Sequence, residues 1–216
     1  MNILCTICAR KGSKGLFNKN FKKLGGKSLI FYSVDQARNV KKINNIVISS
    51  DVKLSTRELK KRKINQFFIR DKSLASDNSG KVKVIKDALI RSEKYYNKVF
   101  DLIVDLDVTS PLRNIKDINE SIKKIINENT NNLITVCKAR KNPYFNMIEY
   151  KNNFCPKLVK KSKKNIIRRQ DAPTGYEMNA SIYIWRRDFL MNNNNLFTNK
   201  TSVYQMPFKR SIDIDS

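Results

Sequence analysis

Short apolar runs rich in isoleucine and valine alternate along the chain with longer segments in which apolar residues recur every three or four positions. The runs have the length and β-branched content of buried strands and the longer segments have helical period, so the alternation predicts a parallel sheet covered by helices. Strands are expected at Ile3 to Cys8, Asn45 to Ser49, Gln66 to Ile69, Leu102 to Leu106 and Leu133 to Cys137. Helices are expected near Ser28 to Val40, Leu54 to Lys63, Gly80 to Tyr96 and Ile115 to Asn129; in the third, Val82, Ile85, Ala88, Leu89 and Ser92 form one buried face. After Cys137 the rhythm breaks into short strand-like pieces, proline and a charge run, so 139–170 reads as an insertion or a β-rich subdomain. A strand returns at "ASIYIWRR", and "MNNNNLFTNK" reads as an exposed loop.

Composition narrows the picture only in places. A chain of 216 residues, 40% hydrophobic and 29% charged, is expected to fold as one globular domain. Its 44 Lys and Arg against 19 Asp and Glu invite a nucleic-acid reading. The lysines are spread through almost every segment, however, so the favoured expectation is a solvated basic surface with no nucleic-acid partner. Cys5 and Cys8 have a C-x-x-C spacing, but on a strand they point to opposite faces, no second pair follows and the sequence holds no histidine. Buried thiols in a reducing cytoplasm are expected instead. The run from Ile3 to Ala9 is too short to span a membrane and lacks the basic segment of a secretion signal. No membrane partner is expected, and the expected location is the cytoplasm.

In an open parallel sheet, ligands bind beyond the carboxyl ends of strands. "ARKGSKGL" follows the first strand: Gly12 and Gly15 would let a phosphate approach the backbone, and Arg10 and Lys14 supply charge. Spacing alone supports a flexible basic turn equally well. Two nucleotide motifs are excluded: there is no G-x-G-x-x-G, and "GGKS" at Gly25 to Ser28 has Phe21 where a Walker A loop needs its first glycine.

The longer stretch "ICARKGSKGLFNKNFKKLGGKSLI" resembles the amino-terminal signature of the acylneuraminate cytidylyltransferases, the CMP-sialic acid synthetase family. Further matches follow in order: "RDKSLASDNSGKV", "DLDVTSPLR", "RRQDAPTGYEMNASIYI" and the terminal "SIDIDS". "ICAR", "ARKNPYFNMIE" and "MNASIYI" look more like the legionaminic acid branch than the sialic acid branch. The resemblance implies a Rossmann-like α/β nucleotidyltransferase fold, with a mostly parallel sheet and helices on both faces. It also implies a reaction in which CTP and a nonulosonic acid give a CMP-sugar and pyrophosphate, with Mg²⁺ (or Mn²⁺) as cofactor. Kdo and sialic acid are the neighbouring substrates; a basic nucleic-acid-binding protein or an inactive interaction subunit are the rivals of another class.

Residue by residue, the resemblance places the nucleotide against Ala9, Arg10, Gly12, Ser13, Lys14, Asn20, Arg70, Lys81, Asp107, Thr109 and Ser110, with Arg10, Lys14 and Asp215 in catalysis. Lys81 stands where relatives often carry a hydroxyl residue, and Asp107 where they usually carry glutamine; Lys11 receives no role. Arg168, Gln170, Asn179 and Tyr183 match positions that face the sugar, and an arginine there suits its carboxylate. Asp213 and Asp215, two apart, would present both carboxylates on one side of an extended segment to Mg²⁺. Segment 139–170 corresponds to the region through which family members form homodimers. Relatives continue past this motif into a closing helix, so the chain is expected to be truncated after Ser216.

Overall fold

The computed structural model describes residues 1–12, 16–76, 80–151, 155–162 and 166–214. In chain order its elements are β1 (Ile3–Ala9), β2 (Lys23–Leu24), β3 (Lys27–Ser28), α1 (Leu29–Arg38), β4 (Asn45–Ser50), α2 (Thr56–Lys61), α3 (Lys81–Tyr96), β5 (Leu102–Leu106), α4 (Ile115–Asn127), β6 (Asn132–Lys138), β7 (Ile148–Lys151), β8 (Cys155–Leu158), β9 (Tyr176–Arg186), α5 (Arg187–Asn192) and β10 (Thr201–Gln205).

Six strands form the central sheet in the order β10-β6-β9-β5-β1-β4. The pairs β1/β4, β1/β5 and β6/β10 are parallel, while β9 runs antiparallel to both β5 and β6. Alternation along the strands sends side chains into two cores. Ile3, Cys5 and Ile7 of β1 join α1 and α4 on one face; Leu4 and Ile103 join α3 and α5 on the other. The same alternation separates Cys5 from Cys8, and all four cysteines are free. Asn114 caps α4 with a reciprocal box: its side chain accepts from the Asp117 amide and the Asp117 carboxylate accepts from the Asn114 amide.

The strand expected at Gln66 to Ile69 does not form. The segment is extended, but the Gln66 side chain takes over the bonding, accepting from Leu54 N and donating to Val52 O, each at 2.8 Å. The backbone rejoins β4 through Arg70 N to Ser50 O at 2.8 Å. At the other edge, β10 adds a parallel strand that the polar "TSVYQ" did not announce. Within 139–170, β7 and β8 make a small antiparallel hairpin separate from the main sheet. Among the described residues no helix is long and apolar enough to cross a membrane.

Candidate active site

Strand β1 leads on to β4 on one side, while its other neighbour β5 leads on to β6 on the opposite side, so their carboxyl ends form a switch point, the place where open α/β sheets hold ligands. Thr6 of β1 lies opposite Asp105 of β5, and Thr6 Oγ1 donates to Asp105 Oδ1 at 2.8 Å. Above them, at the first position of α3, Lys81 Nζ stands 3.0 Å from Asp105 Oδ2 and 2.9 Å from Asp107 Oδ2. The same ammonium lies 4.4 Å from the centroid of the Tyr183 ring, which comes from β9. Asp107 Oδ1 accepts from Thr109 N at 2.9 Å and Thr109 Oγ1 at 2.8 Å.

A cation in the first turn of a helix opposes the helix dipole. Burial also penalises the Lys81 charge, but Asp105 and then Asp107 outweigh it and hold the ammonium well above its ordinary pKa. Burial likewise pushes the Asp107 carboxyl up, and Lys81 with Thr109 reverses this, holding it well below the usual carboxylate range. Lys81 and Asp107 therefore stay ionised at neutral pH. Asp105 is 1% exposed, and its Oδ2 is held by the Lys81 charge with no hydrogen bond directed at it.

The loop after β1 is braced from three sides. Arg70, 5% exposed, donates through Nη2 to Ala9 O, Asn20 Nδ2 donates to Arg10 O at 3.0 Å, and the Lys11 amide donates to Asp51 Oδ1 at 2.9 Å. Arg10 Nη1 reaches Ala75 O at 3.4 Å, which links this loop to the segment before α3. Among the described residues, a Cβ at Gly12 would meet nothing within 4 Å. Ser13 and Lys14 lie outside the described residues. Of the residues expected at the nucleotide, Asn20 and Arg70 thus act as struts for the backbone of Arg10 and Ala9, and Ser110 is fully buried, its hydroxyl without a bond among the described residues.

The residues expected at the sugar are dispersed. Gln170 lines a hollow of about 370 Å³ with Lys138, Asn142, Arg169 and Gly175. Arg168 is exposed and paired with Asp171 at 3.2 Å, while Arg169 Nη2 donates to Arg140 O at 2.9 Å. Tyr183 belongs to the crevice. Asn179 is buried and spent inside the protein: its Oδ1 accepts from Thr135 Oγ1 at 2.6 Å and its Nδ2 donates to Ser211 Oγ at 2.9 Å.

That bond is one of three tethers on the carboxyl-terminal segment. Arg210 grips the fully buried Asp117 at 2.8 and 2.9 Å, and Ile214 N donates to Thr109 O at 2.9 Å. The last tether brings the backbone beside Asp213 to the Asp107 loop. Asp213 is exposed and outside regular secondary structure, and Asp215 lies outside the described residues; among the described residues no three acidic or thiol groups converge as a metal cluster.

Sequence reasoning missed Arg113. It is 2% exposed and donates to Ser181 O at 2.8 Å, to Asp107 O at 2.6 Å and to the Ser33 hydroxyl. Burial pulls its pKa down to about 10. It joins β9, α1 and the Asp107 turn from within. Asp105 was also missed, although a carboxylate inside the apolar run "LIVDL" is itself a signal, since a buried charge needs a partner.

Comparison with known proteins bears on the fold and the family. A family model described as cytidylyltransferase matches residues 4–213. The chain is 44% identical over 214 residues to the post-translational flagellin modification protein B of Campylobacter coli, covering 99% of this chain and 90% of that protein. It has the same identity and coverage with the CMP-N,N'-diacetyllegionaminic acid synthase of Campylobacter jejuni subsp. jejuni. An N-acylneuraminate cytidylyltransferase of Streptococcus agalactiae is 30% identical over 218 residues, covering 100% of this chain and 51% of that one. Among solved structures, a CMP:2-keto-3-deoxy-manno-octonic acid synthetase complexed with CTP has the same fold, with a TM-score of 0.65, 14% identity and coverage of 100% and 94%.

Proposed function

The chain belongs to the cytidylyltransferase family, and from that membership we propose that it couples CTP to a nonulosonic acid of the legionaminic type, giving the CMP-sugar and pyrophosphate. The observation that carries the choice of sugar is the 44% identity to a CMP-N,N'-diacetyllegionaminic acid synthase, sustained over 99% of this chain. The crevice between β1 and β5, with its ionised side chains, supports the nucleotide part of the reading.

The anomeric hydroxyl of the sugar attacks the α-phosphorus of CTP; a new P–O bond forms, the bond to the bridging oxygen breaks, and pyrophosphate leaves with its electron pair. Such transfers ask little covalent work of a protein, so positioning and charge carry the rate. Arg10 and Lys14 hold the triphosphate and neutralise the leaving group, while Asn20 and Arg70 fix the backbone of Arg10 and Ala9. Gln170, in the hollow it shares with Arg169, and Arg168 are assigned to the sugar, and Tyr183 borders Lys81. Asp213, beside Ile214 whose amide donates to Thr109 O, and Asp215 are carboxylates two apart in sequence, a donor set that would fit Mg²⁺. When bound, that ion supplies charge to the phosphates.

The β7–β8 hairpin exposes Ile148 and Tyr150, and we assign it to a homodimer interface. Four free thiols and the use of CTP accord with a cytoplasmic enzyme. The test is pyrophosphate release from CTP and Mg²⁺ with a panel of legionaminate, pseudaminate, sialate and Kdo. Release is expected fastest with legionaminate; a folded protein that releases none with any of the four overturns the proposal.

A further inference from the structure

We propose that Arg210 and Asp117 are positioning residues that fix the carboxyl-terminal segment against the Asp107–Thr109 turn and so set where the Asp213 carboxylate stands. The pair deepens the reading of Asp213 and Asp215 as ligands of Mg²⁺ and rests on it.

Asp117 is the third residue of α4 and is fully buried, so it touches no substrate. Its Oδ2 accepts from the Asn114 amide at 3.0 Å and from Arg210 Nε at 2.8 Å, while Oδ1 accepts from Arg210 Nη2 at 2.9 Å. Capping a helix needs one oxygen at this position, which an uncharged glutamine supplies as well. A fully buried charge is therefore more than the cap requires. Its use is the bidentate grip on Arg210, a geometry that fixes direction as well as distance.

The contacts close a ring. From Thr109 the chain runs to Arg113, pinned to Asp107 O at 2.6 Å, and on to Asn114 and Asp117. The salt bridge passes to Arg210, Ser211 Oγ accepts from Asn179 Nδ2 at 2.9 Å, and Ile214 N returns to Thr109 O at 2.9 Å. Asp213 lies between the last two tethers and outside regular secondary structure, so these contacts place its backbone. Of the three tethers the fork is the charged one, and its bonds are roughly twice as strong as the neutral bonds at Ser211 and Ile214. Without it, the distance from the turn to Asp213 is no longer fixed from both ends. Mg²⁺ demands near-ideal octahedral geometry, so its affinity is sensitive to how firmly a carboxylate ligand is held.

Calorimetry of CTP binding without sugar, in the presence and absence of Mg²⁺, measures the gain in affinity that the metal brings. Asp215→Asn is expected to cut that gain at least about tenfold, and Arg210→Met at least about fivefold, with Arg210→Lys between Arg210→Met and wild type. A pair that served folding alone would lower Tm and leave the gain intact. Should the unpaired Asp117 unfold Arg210→Met, the double variant Asp117→Asn with Arg210→Met carries the same expectation, since it removes both charges and keeps a side chain able to cap α4. A gain that falls in Asp215→Asn but stays within about twofold of wild type in the folded Arg210 variant overturns this inference and leaves the metal reading standing. No gain in the wild-type protein, or a gain unchanged in Asp215→Asn, overturns the metal reading and this inference with it.

Discussion

Replacing Arg113 by leucine removes a guanidinium that is 2% exposed and holds three parts of the protein together. The Ser181 and Asp107 carbonyls, which it approaches to 2.8 and 2.6 Å, and the Ser33 hydroxyl would lose their shared donor. An acceptor left unsatisfied in the interior costs about 1–3 kcal/mol, and three such losses are offset in part by relieving the desolvation of a buried cation. The net destabilisation is about 3–5 kcal/mol, which for a chain of this size lowers Tm by roughly 6–20 °C. Urea unfolding followed by circular dichroism measures it as a lower midpoint with an unchanged slope. Arg113→Lys should recover less than half, since one ammonium cannot span the same fork of acceptors. A leucine variant within about 1 kcal/mol of wild type would show that the guanidinium is not the joint described here.

Asp107 has a depressed pKa, so its stabilisation is present above the ordinary aspartate value of 3.8 and is lost as pH falls below it. Lys81 has a raised pKa, so its share is intact below 10.5 and is lost only at higher pH. Stability from this cluster should be flat from about pH 5 to 9 and fall on acidification, and Asp107→Asn should lessen the acid slope in urea titrations at pH 3 and 5. Lys14→Ala and Asp215→Ala should each lower turnover at least tenfold, about 1.4 kcal/mol of barrier; normal rates in both would displace the site assignment. Ile148→Asp with Tyr150→Asp should convert a dimer to a monomer in sedimentation, and a monomeric wild-type protein would refute that assignment of the hairpin. Ala180 has a φ of 51°, so Ala180→Gly should raise stability by about 0.5–1 kcal/mol in urea unfolding, a gain in left-handed backbone that exceeds glycine's entropy cost.

The main strands were legible because Ile3–Ala9 and Leu102–Leu106 are buried on both faces and therefore read as nearly continuous apolar runs, interrupted only by Thr6 and Asp105. Gln66 to Ile69 has the same look, but its pairing depended on a side-chain contact with residues 52 and 54 that no local pattern encodes. The sugar-side expectation failed to hold together for a sharper reason. Asn179 and Tyr183 are four apart and would share a face on a regular strand. In β9, however, Tyr183 pairs with Ile134 and Met178 with Val136, so five steps on β9 match two on β6. This odd surplus reverses facing parity at the irregularity. Asn179 consequently turns into the interior toward Ser211, whereas Tyr183 meets Lys81. The charged trio was half legible: Lys81 and Asp107 drew notice as departures from a family pattern, yet only tertiary structure brings Asp105 beneath them.

The reversed strand β9 also imposes an order of events during folding. It lies between β5 and β6, both of which precede it in the chain, and no direct β5/β6 pairing can substitute for it. A nascent chain can zip β4, β1 and β5 together once residue 106 is available, but the half-sheet ends in an open edge. Closure waits until residue 186 has been made, and β10 follows on the far side of β6. Insertion of β9 between β5 and β6 is a long-range event, of the kind that slows folding and leaves unpaired edges open to aggregation until it is complete.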